Sequence, residues 1–169
     1  MTKDKFWQII EQSRGVVKDD NEECEAQTEK LTALLTKMTA PQIIEFDELW
    51  IRYFYAAYRW DLWAVAYIVN GGCSDDAFMD FRGWLIAQGR AYFEAALQNA
   101  ERAADRVEPD GYAGCEQILY VRSTVYQAKT GAEIPSAAYH DGPDEPVGEN
   151  WNEDELEELY PALCKKFDA

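Results

Sequence analysis

Along most of the chain, apolar residues return every three or four positions, the spacing of one face of an α-helix, and alternating strand patterns are scarce. Phe6, Ile9 and Ile10 predict a short first helix, with Thr2 or Asp4 as its start signal. Residues 20–38 predict a second, with Cys24, Leu31, Leu34, Leu35 and Met38 on one stripe. Thr39-Ala40-Pro41-Gln42 has the form of a capping box with proline in the first turn, and it opens a helix carrying Ile43, Phe46, Trp50, Phe54 and Ala57. That helix either stops near Tyr58 or runs on through Trp60-Asp61-Leu62-Trp63 to Val69.

Asn70-Gly71-Gly72-Cys73-Ser74-Asp75-Asp76 is the clearest punctuation. Asn or Gly there tolerates the left-handed conformation that ends a helix, Ser74 can cap the next, and the two aspartates then favour its positive end. The following helix places Phe78, Phe81, Leu85, Tyr92 and Ala96 on one face, with Gly89 marking either close packing or a break. A turn falls at Val107-Glu108-Pro109-Asp110-Gly111, and Ile118, Leu119, Val125 and Tyr126 mark a helix ending before Thr130-Gly131. Pro135, Pro143, Pro146, Gly142 and Gly148 predict a loop over residues 131–150. Asn152 with Glu155 forms a second capping box, opening a last helix with Leu156, Leu159, Tyr160, Leu163 and Phe167 as its stripe. The expectation is an all-α fold, one compact domain over residues 1–169, with about six to eight helices and a Pro/Gly-containing loop before the last.

Charge narrows what such a domain can do. Thirty-two acids against 16 Lys plus Arg give a net charge of -16, which repels phosphate backbones and excludes broad nucleic-acid binding. No apolar run is long enough to span a bilayer, so no membrane partner is expected. Met1-Thr2-Lys3-Asp4-Lys5-Phe6-Trp7 lacks the apolar stretch of a secretory signal, which predicts a cytoplasmic address. Cys24, Cys73, Cys115 and Cys164 form no Cys-x-x-Cys pair, and in a reducing compartment they are expected as structural thiols. His140 is the single histidine, so a multi-histidine metal site cannot be built within one chain. Neither a Gly-x-Ser-x-Gly elbow nor a phosphate-binding glycine loop occurs, and no cofactor is expected.

Tyr58-Arg59-Trp60-Asp61-Leu62-Trp63, followed by Gly71-Gly72-Cys73-Ser74-Asp75-Asp76-x-Phe78-x-x-Phe81-Arg82-x-Trp84-Leu85-Ile86-x-x-Gly89-Arg90, resembles domain-of-unknown-function family 4240. Phe6-Trp7, Cys115-Glu116-x-x-Leu119-Tyr120-Val121 and Trp151…Tyr160-Pro161-x-Leu163 extend the likeness over nearly the whole chain. The resemblance implies a small bacterial, mainly helical protein and brings no established activity with it. One departure is visible: the family often has Pro-Asp after its central helix, where this chain has Ala100-Glu101, leaving the course of Asn99–Gly111 open.

Two surfaces stand out as candidates. Trp60, Asp61, Trp63, Asp75, Asp76 and Arg82 could form an aromatic and carboxylate binding cleft, since Asp76 and Asp80 share a helical face and Asp61 could approach from the preceding helix. Their carboxylates suit either a hard metal such as magnesium supporting hydrolysis, or plain helix capping with Arg82 neutralising a partly buried acid. Arg82 lies between Phe81 and Trp84, so a carboxylate is expected beside it: Asp61 first, Asp76 second. Residues 141–158 carry nine acids and no base, and Glu153, Glu157 and Glu158 are the candidate partner surface. The leading expectation is a non-catalytic interaction domain whose acidic surface meets a basic protein, as immunity proteins meet basic toxins. The alternative is a ligand-binding module or a metal-assisted hydrolytic enzyme built on the aromatic cleft.

Overall fold

Local capping chemistry starts the helices where the sequence places it. The computed structural model describes residues 1–15, 23–135 and 142–168; His140 and Asp141 lie outside the described residues. Thr2 accepts from the Lys5 backbone N–H at 3.2 Å and opens α1 (Lys3–Arg14), whose Phe6, Trp7, Ile9 and Ile10 are buried. The predicted second helix is seen as α2 (Glu23–Thr36), the start at residues 20–22 lying outside the described residues. The Thr39–Gln42 capping box, with the Thr39 N–H donating to Gln42 Oε1 at 2.9 Å, begins α3 (Ala40–Ala56).

α3 stops at Ala56, and α4 (Trp60–Asn70) starts afresh after an extended Arg59. The break has a distant cause. Val147 pairs in parallel with this junction: its N–H donates to the Tyr58 carbonyl at 2.9 Å, and its carbonyl accepts from Trp60 N–H at 3.0 Å. α4 is apolar nearly all round and buries Leu62, Ala64, Val65, Ala66, Ile68 and Val69, the composition of a helix covered on every side. It ends in Gly71 at φ 65° and Gly72 at φ 127°, backbone values that side chains with a Cβ rarely adopt.

Ser74 caps α5 (Asp75–Ala87), accepting from Ala77 N–H at 3.3 Å. At Gly89, with φ 91°, the chain breaks rather than packs closely, so the predicted continuous helix becomes α5 and α6 (Arg90–Gln98). The open Asn99–Gly111 stretch begins with a 3₁₀ turn at Ala100–Ala104, where Asn99 Oδ1 accepts from the Glu101 N–H at 3.1 Å. α7 (Glu116–Thr130) ends on Gly131. The Asn152–Glu155 capping box forms as predicted, but the last helix is divided into α8 (Leu156–Leu159) and α9 (Pro161–Phe167). Pro161 has no N–H and holds Tyr160 out of the helical region.

The nine α-helices of the described residues share one continuous core. α1, α3 and α6 meet through rings, with Phe6, Trp7, Phe46, Tyr53 and Phe93 in contact at centroid distances of 4.6–5.6 Å. α7 packs on α2, α3 and α5. Arg122 Nε donates to Asp47 Oδ1 at 2.8 Å, joining α7 to α3 inside the core.

Cys24 and Cys115 form a disulfide between α2 and the start of α7, with Cα atoms 5.6 Å apart. This corrects the expectation of reduced thiols throughout. Cys24 lies on the stripe of α2 that packs against α7, and Cys115 stands immediately before α7, so packing these two helices brings the sulfurs together. Cys73 and Cys164 remain free, and burial, with the charges of Asp80 and Asp75, pushes the Cys73 thiol up to about 12.

Candidate functional site

The start of α4 carries the densest grouping of chemistry. Trp60 and Trp63 stand three residues apart on one helical face and stack at 5.3 Å. Trp151 closes on them edge-on, 6.4 Å from Trp60 and 5.4 Å from Tyr67, and its indole N–H donates to the Trp60 carbonyl at 2.8 Å. The C-terminal segment is therefore fastened across this end of the molecule at two points, Val147 and Trp151. A Cβ at Gly142 would run into the Tyr55 ring, so the same segment also lies tight against α3.

Between that segment and α4 opens a groove of about 720 Å³. Its walls carry four carboxylates, Asp61, Glu149, Glu155 and Glu158, against the single guanidinium of Arg59. Arg59 is already committed: Nε and Nη2 grip Asp61 at 2.9 and 2.6 Å, and Nη1 donates to the Leu97 carbonyl at 3.1 Å. The Asp61 hydrogen bond holds the Arg59 pKa above its ordinary value. Glu155 accepts from Asn152 N–H at 2.9 Å within its capping box. Tyr160 lines the groove half-buried, its phenol raised first by burial and then by the Asp61 charge. Exposed Val147 and Leu159 supply apolar surface at the groove. The arrangement offers negative charge, aromatic faces and two aliphatic anchors to one ligand.

The six predicted cleft residues fall in three places. Trp60, Asp61 and Trp63 belong to this end, with Asp61 in the groove wall. Asp75 and Asp76 stand exposed in the first turn of α5, as capping predicts. Arg82 is buried, 6% exposed, and among the described residues it pairs with no carboxylate. Its guanidinium lies over Phe54, Tyr58 and Phe78 at 3.9, 4.6 and 5.1 Å. Nε and Nη1 reach the Phe78 and Phe54 carbonyls at 3.4 Å, and burial lowers the Arg82 pKa to about 10. The expected partners are otherwise placed, Asp61 because Arg59 two residues earlier takes it. Among the described residues, no three His, Cys, Asp or Glu side chains come together as a metal site. Asp80, nearest to such a cluster, is raised above its ordinary pKa by burial and by the charges of Glu116 and Asp76.

The three predicted surface glutamates also separate. Glu158 lines the groove, Glu153 accepts a hydrogen bond from Tyr67, which raises that phenol, and Glu157 lies on another face with Lys165. Sequence reasoning missed Arg59, Val147 and Tyr160. An arginine two residues before an aspartate at a helix start was the available signal for the first; nothing local announces the other two.

A family model described as Protein of unknown function (DUF4240) matches residues 1–128. The chain belongs to this family. The DUF4240 match takes in α1 to α6 and most of α7, including Trp60, Asp61 and Trp63, whereas the segment that closes the groove lies beyond it. No curated protein and no solved structure matches the chain. Among the described residues, no helix is long and apolar enough to cross a membrane.

Proposed function

We propose that this DUF4240 protein is an interaction domain that receives a basic segment of a partner protein in the groove between α4 and the C-terminal segment. The observation that carries this is the imbalance in the groove wall, four carboxylates against one guanidinium that Asp61 already neutralises. A lysine or arginine entering there meets a negative potential with no competing internal cation. The aromatic floor gives its alkyl stem a surface to pack on. Val147 and Leu159 favour a partner segment with an aliphatic residue next to its basic ones. Overall acidity, a net charge of -16, adds long-range attraction for such a partner and speeds encounter.

A ten-residue peptide alternating lysine and leucine tests this by tryptophan fluorescence, since Trp151 lines the groove and packs edge-on against Trp60. Binding should be saturable and weaken steeply between about 50 and 500 mM salt as charges are screened. The double substitution Glu149→Lys with Glu158→Lys should reduce affinity at least tenfold. Glu157→Lys, on the other face, should change it by less than twofold. Equal losses from both sets would mean that net charge alone attracts the peptide, and the groove would lose its role.

A further inference from the structure

Among the described residues one covalent bond joins distant parts of the chain, Cys24–Cys115, and its two ends stand in different surroundings. Cys24 is half-buried in the first turn of α2, where the exposed Gln117 brings Oε1 to 3.0 Å from its sulfur. Cys115 is 4% exposed and is the N-cap residue of α7. A thiol arriving from solvent can therefore reach Cys24 Sγ far more readily than Cys115 Sγ, and access is one of the factors that choose which sulfur is attacked.

Exchange needs a sulfur that leaves as well as one that is attacked. Cys115 is placed for that role. It heads a helix of 15 residues and its side chain makes no capping bond, so a thiolate there faces open backbone N–H groups and the positive end of α7. Thr28 Oγ1 stands 3.7 Å from Cys115 Sγ and can turn its hydroxyl hydrogen towards it. Glu116, in the same turn, opposes the charge in part, so access to Cys24 decides the direction.

The bond also holds something down. α2 rests on α1 and α7, but its fully buried apolar side chains, Leu31 and Leu35, belong to its second half. From residue 24 to residue 30 the one buried side chain is Gln27, whose Nε2 donates to Ser13 Oγ at 3.2 Å and to the Ala87 carbonyl at 2.9 Å. Neutral hydrogen bonds add little net stability each, so the disulfide is the principal anchor of these turns, and a helix end without one frays. We propose that Cys24–Cys115 is a thiol-operated latch: a small thiol opens it at Cys24, and opening releases the first two turns of α2. The incoming thiolate bonds to Cys24 Sγ, the Cys24–Cys115 bond breaks, and its electron pair leaves on the Cys115 sulfur, which takes up the proton the thiol gave away. A second thiol attacks the small molecule's sulfur in the mixed disulfide, freeing Cys24 as a thiol and carrying off the oxidised small disulfide. No residue lining the basic-segment groove takes part, so the latch stands or falls separately.

The mixed disulfide can be trapped in full-length chains that lack one of the two sulfurs. Reduced Cys115→Ser and reduced Cys24→Ser proteins are each treated with cystamine, a small symmetrical disulfide, and the adducts are located by peptide mass mapping. Cys24 in the first variant should be modified at least about tenfold faster than Cys115 in the second. Equal rates, or a faster Cys115, overturn the proposal. The wild-type chain supplies a second measurement that needs no variant: the Cα chemical shifts with and without dithiothreitol, read by nuclear magnetic resonance. On reduction the shifts of residues 24–28 should move to coil values while those of residues 31–36 stay helical. A start of α2 that remains helical after reduction overturns the latch, and so does loss of the whole helix, since the bond would then hold all of α2 rather than its first turns.

Discussion

Replacing Arg82 separates two contributions that usually travel together, the charge of an arginine and the space it fills. Burial lowers its pKa to about 10, which corresponds to about 3 kcal/mol against holding the charged form in the fold. Three ring contacts at 3.9–5.1 Å return about 0.5–2 kcal/mol each, and the two carbonyl contacts at 3.4 Å add little. The two sides nearly cancel, because no carboxylate among the described residues would be orphaned by removing the charge. Arg82→Met fills most of the same volume without charge, and should leave stability within about 1 kcal/mol of wild type. Arg82→Ala leaves a void among Phe54, Tyr58 and Phe78 and should cost about 2–4 kcal/mol, lowering Tm by roughly 5–12 °C. Because the folded pKa lies below the unfolded one, the burial penalty is fully present below about pH 10 and is relieved only as pH rises above it. The difference between wild type and Arg82→Met should therefore be flat from about pH 6 to pH 9. Urea unfolding of the three proteins under one redox condition gives the comparison. If Arg82→Met is as damaging as Arg82→Ala, the charge itself holds this region and the two contributions do not cancel.

Reduction of Cys24–Cys115 releases a link across 91 positions, and loop entropy predicts a loss of about 4–5 kcal/mol. Denatured under non-reducing conditions the protein should titrate two thiols, Cys73 and Cys164, and four after reductant; four without it would remove the disulfide from the fold. At the end of α4, an added Cβ meets no neighbour at Gly71 or Gly72, so alanine there costs backbone strain alone. Gly71→Ala should cost about 1 kcal/mol and Gly72→Ala more, since φ 127° lies further from any region open to alanine; equal or negligible losses in urea melts would contradict this.

What could be read from the sequence was what neighbouring residues decide among themselves. Thr2, Thr39 with Gln42, Ser74, and Asn152 with Glu155 act within one turn of helix, and each caps where its pattern says. The interruption between α3 and α4 depends on Val147, nearly ninety residues downstream, so periodicity through Trp60 could not decide it. Cys24 with Cys115, and Asp47 with Arg122, are meetings of helix faces whose partners emerge only on packing. The site was legible in the same measure. Trp60 and Trp63 share a face by spacing alone, whereas an arginine in an apolar helix implies a buried counter-charge and so points, for Arg82, to Asp61. Three aromatic rings take that place instead.

The fastening of Val147 and Trp151 onto α4 has a consequence for what counts as one module. The family match covers residues 1–128, but the contacts that hold this end of the molecule together reach beyond it. Cut there, the chain would bare the Tyr58 and Trp60 carbonyls and the outer faces of Trp60 and Tyr67, and would lose the Lys166 ammonium that donates to the Ala104 and Val107 carbonyls at 3.1 and 2.9 Å. The matched region supplies the Arg59–Asp61 pair and the rings on which Trp151 rests, and the segment beyond it brings the remaining carboxylates and the aliphatic side chains, so the recess exists only where the two meet.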